Sequence, residues 1–271
     1  MATDIDSPYP IGTEQIERFR RDGFIRLKDV FDADALAHYG SEIARLTIAL
    51  NRQTTPMKER STYDKAFLQV MNLWRQGGPA RGFVFGKRLA GIATALLETR
   101  GVRLYHDQSL YKEPGGGITP AHADQYYWPV ASDRCITAWV PLQAVPRDMG
   151  PLAFFAGSQH VEFGRDLGIS DESERAITAN MEAHGFPIVD EPFDLGEVSF
   201  HLGWTFHRAG PNRSQTPRSV MTMIYMDRDM RLKAPENHMQ QADRDSWCPG
   251  AKVGEVIDTP INPLLFDTDA A

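Results

Sequence analysis

From Val102 onward the chain is written as short β-forming runs separated by turn signals, and this texture limits the fold more than any other feature. Val102-Arg103-Leu104-Tyr105 and Ser109-Leu110-Tyr111-Lys112 alternate or nearly so, and Glu113-Pro114-Gly115-Gly116-Gly117 breaks them. Residues 136–142, 198–202 and 220–226 have the same β-forming character. Many short strands of this kind predict an antiparallel sandwich or barrel. The first hundred residues carry helical spacing instead. Thr13 is a candidate N-cap, Ile16, Phe19 and Phe24 follow, and Gly23 ends that helix. Asp32 or Asp34 caps a second, with Leu36, Tyr39, Ile43, Leu46 and Leu50 on its face. Residues 87–98, rich in Ala and Leu, form another. Beyond residue 235, Pro249, Pro260 and Pro263 predict an extended tail. No Ser/Gly-rich linker or charge run divides the sequence. The expected layout is one domain over 1–271: a mainly helical flank (1–100), a β core (102–230) with the helices outside it, and a tail (235–271).

Charge and apolar distribution exclude several classes. A net charge of −7 argues against a general nucleic-acid binder, which shows a basic face. The acidic start, Met1-Ala2-Thr3-Asp4-Ile5-Asp6, lacks the basic opening and apolar centre of a signal peptide. No apolar run approaches the roughly 18 residues that span a bilayer. Two cysteines, Cys135 and Cys248, make no disulfide framework. Cys135, inside Cys135-Ile136-Thr137-Ala138-Trp139-Val140, is expected as a buried thiol. These features together predict a cytoplasmic protein without nucleic-acid or membrane partners.

His122-Ala123-Asp124, followed by His207 and then Arg218, carries the chemistry. Alternate residues of an extended segment point the same way, so His122 and Asp124 can present two ligands to one ion. Two imidazoles and one carboxylate hold a non-haem Fe(II) on one face and leave the other face open for O2 and a chelating co-substrate. Arg218 follows closely enough to neutralise the far carboxylate of 2-oxoglutarate through a two-pronged hydrogen bond. His201, flanked by apolar residues, is expected to be a hydrogen-bonded wall histidine, and His106 to orient groups near the metal. His38, His184 and His238 are expected at the surface. Gln125-Tyr126-Tyr127-Trp128 suits an aromatic cleft mouth. The segment 47–78, with Arg52, Lys58, Arg60, Lys65 and Arg75, is either a lid or solvated surface charge.

Read in order, these motifs and their neighbours resemble a known family. Phe19-Arg20-Arg21-Asp22-Gly23-Phe24-Ile25 is similar to its N-terminal element, Leu110-Tyr111-Lys112-Glu113-Pro114 and His122-x-Asp124-Gln125 follow, and Thr137-Ala138-Trp139-Val140-Pro141-Leu142 continues the series. Gly150-Pro151-Leu152, Gly157-Ser158-Gln159-His160 and His207 through Asn212 and Ser214 to Arg218 complete it, with Met149 where the pattern usually has Asn. The chain thereby resembles the phytanoyl-CoA dioxygenase family of Fe(II)/2-oxoglutarate oxygenases.

The resemblance implies a mainly β fold with flanking helices, a double-stranded β-helix (a cupin-like jelly roll). It implies His122, Asp124 and His207 as the iron ligands, Arg218 on the distal carboxylate of 2-oxoglutarate, and Trp139 and Gln108 along the co-substrate pocket. Gly157-Ser158-Gln159-His160 is a structural turn on this reading. Ala209 stands where several relatives carry a serine that helps hold the co-substrate. Asp124 argues against halogenation, for which that position is Ala or Gly. The expected activity is decarboxylation of 2-oxoglutarate coupled to oxidation of a substrate C–H bond, by hydroxylation or by cyclisation, epimerisation or desaturation. A secondary-metabolite intermediate is the expected substrate. The competing readings are an acyl-CoA hydroxylase, a non-catalytic jelly-roll binding or sensing module, and a cupin-type enzyme that uses the metal without 2-oxoglutarate.

Overall fold

The computed structural model describes residues 3–270; Met1 and Ala2, from the acidic start read above, and Ala271 lie outside them. The order of elements is α1 (Thr13–Asp22), β1 (Phe24–Leu27), α2 (Ala33–Leu50), α3 (Thr62–Ala66), β2 (Leu68–Met71), α4 (Gly78–Val84), α5 (Lys87–Leu97), β3 (Gly101–Lys112), β4 (Thr119–His122), β5 (Cys135–Pro141), β6 (Leu152–Phe155), α6 (Asp171–Ala183), β7 (Ile188–Val189), β8 (Val198–Leu202), β9 (His207–Ala209), β10 (Arg218–Asp227), α7 (His238–Trp247) and β11 (Leu264–Asp267). A seven-stranded sheet runs β1-β8-β5-β10-β3-β11, with β2 also paired to β3, and a four-stranded sheet runs β4-β9-β6-β7. All pairings are antiparallel, the arrangement of a jelly roll with flanking helices.

Register explains how one sheet serves two purposes. Arg218, Val220, Thr222 and Ile224 of β10 lie opposite Lys112, Leu110, Gln108 and His106 of β3. Across the other edge of β10, Val220, Thr222 and Ile224 face Pro141, Trp139 and Thr137 of β5. Because side chains alternate, these residues share one face, and that face lines the interior. The alternate set, including Met221, Met223, Tyr225, Ile136, Ala138 and Val140, packs against Ile43, Phe83, Ile92 and Leu96 of the helices. Strands covered on both sides lose the polar/apolar alternation of a half-exposed strand, which is why β5 and β10 are buried along their whole length.

The helices begin and end for local reasons. The Asp32 carboxylate accepts the Ala35 backbone N–H at 2.7 Å, capping α2. Gly23 closes α1 at φ 78°, a conformation that favours glycine, and donates its N–H to the Phe19 carbonyl. Three expectations need correction. Gly12, not Thr13, precedes the first turn of α1. Phe24 belongs to β1, where it pairs with His201 and stacks on Phe154 at 4.3 Å, so the first hundred residues contribute two strands, β1 and β2, to the sheet. The tail is not extended throughout: Asn237 accepts the Gln240 N–H at 2.8 Å and starts α7, and the three prolines all lie beyond its end at Trp247. The two short runs read at 102–105 and 109–112 are one strand, β3, whose register with β10 shifts where Ile224 pairs with His106 and Tyr225 with Leu104, leaving Tyr105 unpaired between them. Both cysteines are buried free thiols, and burial pushes Cys248 up to about 12. No helix among the described residues is long and apolar enough to cross a membrane.

Asp107 on the helix-facing side of β3 carries a measurable consequence. It is fully buried, and its carboxylate accepts the backbone N–H groups of Leu73, at 2.8 Å, and Trp74. Burial outweighs these donors and raises its pKa to about 7. The folded value lies above the unfolded one, so this group's contribution falls as pH rises from about 4 towards 7 and is flat above that. Asp107→Asn removes the titration. The melting temperature of the variant relative to wild type is therefore expected to rise between pH 5 and pH 8, by an amount on the order of a few kcal/mol in stability. A pH-independent difference would show that the wild-type carboxyl does not titrate in that window.

Candidate active site

The inner face of the large sheet and the facing strands β4, β9 and β6 enclose a cavity of about 680 Å³. Its three candidate ligands come from two adjoining segments of the small sheet. His122 ends β4, His207 begins β9, and the two are direct partners in register. Asp124 follows His122 by two residues, at the start of a single 3₁₀ turn. One ligand atom from each of His122, Asp124 and His207 lies within 4.8 Å of the others. Asp124 Oδ1 is 3.5 Å from His122 Nε2 and 3.7 Å from His207 Nε2.

Backbone carbonyls set the imidazoles for coordination. His122 Nδ1 donates to the Pro120 carbonyl at 2.7 Å and His207 Nδ1 to the Thr205 carbonyl at 3.0 Å. A carbonyl only accepts, so each Nδ1 carries the proton and each Nε2 presents a lone pair to Asp124. Asp124 is prepared similarly. The Thr137 hydroxyl donates to Oδ2 at 2.8 Å and His201 Nε2 lies 3.2 Å from the same oxygen, leaving Oδ1 between the two ligand imidazoles. Burial alone would raise the Asp124 carboxyl; His207, His122 and His201 together overcome it and hold the group well below the usual carboxylate range. His207 is driven well below its ordinary value, first by burial and then by the neighbouring imidazoles. Both shifts favour an anionic acid beside a neutral imidazole, the forms that bind a metal.

At the other end of the inner face stands Arg218, 1% exposed. Its Nη1 donates to the Gly150 carbonyl, its Cζ lies 5.4 Å from the Trp139 ring, and its Nε has no partner. The open edge is Nε with Nη2. With that same edge Arg45 grips Glu42 and Arg21 grips Asp22 elsewhere in the molecule. Gly150 is held at φ 70° with its Cα against the Gly210 carbonyl, where a Cβ would come within 2.2 Å, so no larger residue fits at the position whose carbonyl accepts from the arginine. Lys112, opposite Arg218 in register, donates to the carbonyls of Gly117 at 2.6 Å and Gly210 at 2.8 Å. Burial, and then the Arg218 charge, push its ammonium down to about 6. Burial lowers Arg218 itself to about 9, so it remains a cation at neutral pH.

The remaining expected positions divide. Gln108 and Trp139 line the cavity, Gln108 receiving a hydrogen bond from Gln69. Ala209 lines it too, without a hydroxyl. Tyr126, Tyr127 and Trp128 form part of its wall. From the segment 47–78 the cavity receives Tyr63, Phe67, Gln69 and Met71, while Arg52, Lys58 and Arg75 are exposed and none of the segment's basic residues lines it. His106 lines the cavity with its Nδ1 buried and unpartnered. His38 and His184 are exposed as expected; His238, also exposed, nonetheless reaches the cavity rim. Sequence reasoning missed Thr137 as the donor to Asp124, and it missed Met239, Asp243 and Trp247 of α7, which close one side of the cavity. The signal for Thr137 was present: it is a lone hydroxyl on the same face of an apolar strand as Trp139.

Comparison with known proteins agrees with this geometry. The model of the phytanoyl-CoA dioxygenase family matches residues 19–220. An ectoine dioxygenase of Stutzerimonas stutzeri is 26% identical over 250 residues, covering 83% of this chain and 80% of that one. The crystal structure of the non-haem α-ketoglutarate-dependent carbocyclase SnoK of nogalamycin biosynthesis superposes with a TM-score of 0.76 at 22% identity, covering 96% of this chain and all of the other. The epimerase SnoN, in complex with Fe3+, α-ketoglutarate and nogalamycin RO, gives 0.75 at 25% identity over 93% of this chain and 97% of its own.

Proposed function

The chain belongs to the phytanoyl-CoA dioxygenase family and is an Fe(II)- and 2-oxoglutarate-dependent dioxygenase, and from that premise we propose a role for each group in the cavity. His122, Asp124 and His207 hold the iron, Arg218 takes the distal carboxylate of 2-oxoglutarate, and Trp139 and Gln108 flank the co-substrate. The bound metal with 2-oxoglutarate and O2 supplies the oxidising power; the chain supplies ligand geometry, charge neutralisation and a cavity lined largely by apolar and aromatic side chains. The observation that carries the assignment is the pair of Nδ1–H donations to the Pro120 and Thr205 carbonyls, which turns both Nε2 atoms towards Asp124 Oδ1.

The substrate on this reading is a small secondary-metabolite intermediate, oxidised at a C–H bond beside Tyr126, Tyr127 and Trp128. An acyl-CoA would bring several phosphates. Among the residues lining the cavity, Arg218 is the single Lys or Arg, and it is committed to the co-substrate. We place the enzyme, as one oxygenase domain over 1–271, in a reducing cytoplasm, a reading supported by its two buried free thiols. The test is to load the protein with Fe(II), confirm one iron per chain by equilibrium dialysis, and follow succinate release from 2-oxoglutarate across a natural-product panel. Protein that binds iron but never yields succinate above the iron-only control would overturn the proposal.

Thr137 gives a sharper check on Asp124. Thr137→Val keeps the shape of the side chain and removes the hydroxyl that holds Oδ2. Iron affinity is expected to fall about tenfold to a hundredfold, the usual effect of losing a hydrogen bond behind a metal ligand. Unchanged affinity by dialysis would mean that Thr137 does not orient the carboxylate.

A further inference from the structure

The end of the cavity remote from Arg218 holds a carboxyl that the iron chemistry does not use. Asp243, on the inner side of α7, lines the cavity, and the Tyr105 hydroxyl donates to its Oδ2 at 3.1 Å. No Lys or Arg among the described residues pairs with it. Arg218 cannot serve: it pairs with Lys112, whereas His106 pairs with Ile224, roughly 20 Å further along the strand at ~3.3 Å per residue.

Aromatic rings surround this acid. Trp247 lies beside the carboxyl. The rings of Tyr105 and His106 are 5.1 Å apart, His106 and Trp247 5.2 Å, and Tyr105 and Trp128 5.8 Å. The register shift of β3 makes the cluster possible. Neighbours in a regular strand point to opposite faces, but here the irregularity turns both Tyr105 and His106 inward, as bulges do beside active sites. Tyr105 packs with the inward-facing Cys135, Ile224 and Met226 and so brings its hydroxyl to Asp243. Burial holds the Asp243 carboxyl up at about 7, as expected for an acid whose counter-charge is missing.

We propose that Asp243 and the aromatic wall of His106, Trp128 and Trp247, with Tyr105 buried behind it, form the substrate-anchoring subsite, and that the substrate it takes is a flat ring system bearing a protonated amine. A buried carboxylate beside ring faces favours a cation twice, by direct pairing and by the negative faces of the rings. A neutral hydroxyl gains one charge-assisted hydrogen bond there but neither the charge pairing nor the attraction of the ring faces. The inference rests on the reading of this cavity as the active site, with Arg218 occupied by 2-oxoglutarate.

The test uses naphthylmethylamine and naphthylmethanol, which differ only in the group offered to Asp243. Their affinities are measured by calorimetry on protein loaded with Fe(II) and 2-oxoglutarate in the absence of O2, and again on unloaded protein. The amine is expected to bind at least about tenfold more tightly than the alcohol in both states. Asp243→Asn is expected to erase that preference and leave alcohol binding within about twofold. Equal affinities in wild type, or a preference that survives Asp243→Asn, overturn the proposal. The wild-type comparison decides even if the variant misfolds. Failure to take up iron or 2-oxoglutarate shows in the loading step and counts against the site assignment instead.

Discussion

Asp124→Ala is expected to abolish stoichiometric iron binding and to lower 2-oxoglutarate turnover on the order of a thousandfold or more. Asp124 is the one anion among the three proposed ligands, so its loss removes the charge that offsets the metal as well as a donor atom. His122→Ala should do the same for a different reason, since it takes away an Nε2 already turned to the site by the Pro120 carbonyl. Neither change should unfold the protein. The Asp124 side chain is held by Thr137 and His201, residues of β5 and β8 whose strands pair with each other through Thr137↔His201 without it. Iron content by dialysis, succinate release, and a melting curve on the same sample separate the two effects. Wild-type turnover with a full complement of iron in either variant would show that the metal sits elsewhere.

The ligand set was legible because it depends on residue type. Few side chains bind Fe(II), and the H-x-D spacing with a distant histidine narrows the field further. What the sequence could not show is which polar atoms complete those ligands. Thr137 reads as a strand-forming residue until register places it opposite His201 and Ile224, on the face of β5 that looks at Asp124. The strand pattern of β5, β8 and β10 was clear for a similar reason, since buried strands must be apolar whatever surrounds them. β6 and β9 escaped notice because they are short, four and three residues, and are stabilised by pairing with each other rather than by a pattern of their own.

The C-terminal region failed for a more instructive reason. Its prolines suggested extended chain, yet proline constrains only its immediate neighbours, and the stretch 238–247 contains neither proline nor glycine. Met239, Asp243 and Trp247 recur at four-residue intervals and share one helical stripe, all of it turned to the cavity. Flanked by Arg244 and Asp245, that stripe reads as solvated charge until something covers it. Its partner is the wall of β3, where Trp247 meets His106 at 5.2 Å. Such contacts join residues far apart in the chain, and local periodicity carries no information about them.

Arg218→Met is expected to raise the KM for 2-oxoglutarate about a hundredfold or more while leaving the protein without co-substrate as stable as wild type, or more so. A buried cation loses several kcal/mol of hydration, and Arg218 recovers part of this from the Gly150 carbonyl and the Trp139 ring. It has no carboxylate partner among the described residues, and its Nε is unsatisfied. An arginine left in that condition by the fold is stabilised by what binds to it. Each charge-assisted hydrogen bond to a carboxylate contributes about 1.5–3 kcal/mol, so two of them support a hundredfold effect or larger. The distal carboxylate lies away from the reacting atoms, so its loss should weaken ground state and transition state alike: KM rises, and kcat at saturating co-substrate changes little. Arg218→Lys should recover only part of the affinity, because a point charge cannot reproduce the Nε–Nη2 edge. Methionine fills similar volume without a charge to desolvate, so the melting temperature of the co-substrate-free variant should not fall. An unchanged KM would take Arg218 out of the co-substrate site. A strongly lowered melting temperature would instead make it a structural cation that the fold itself requires.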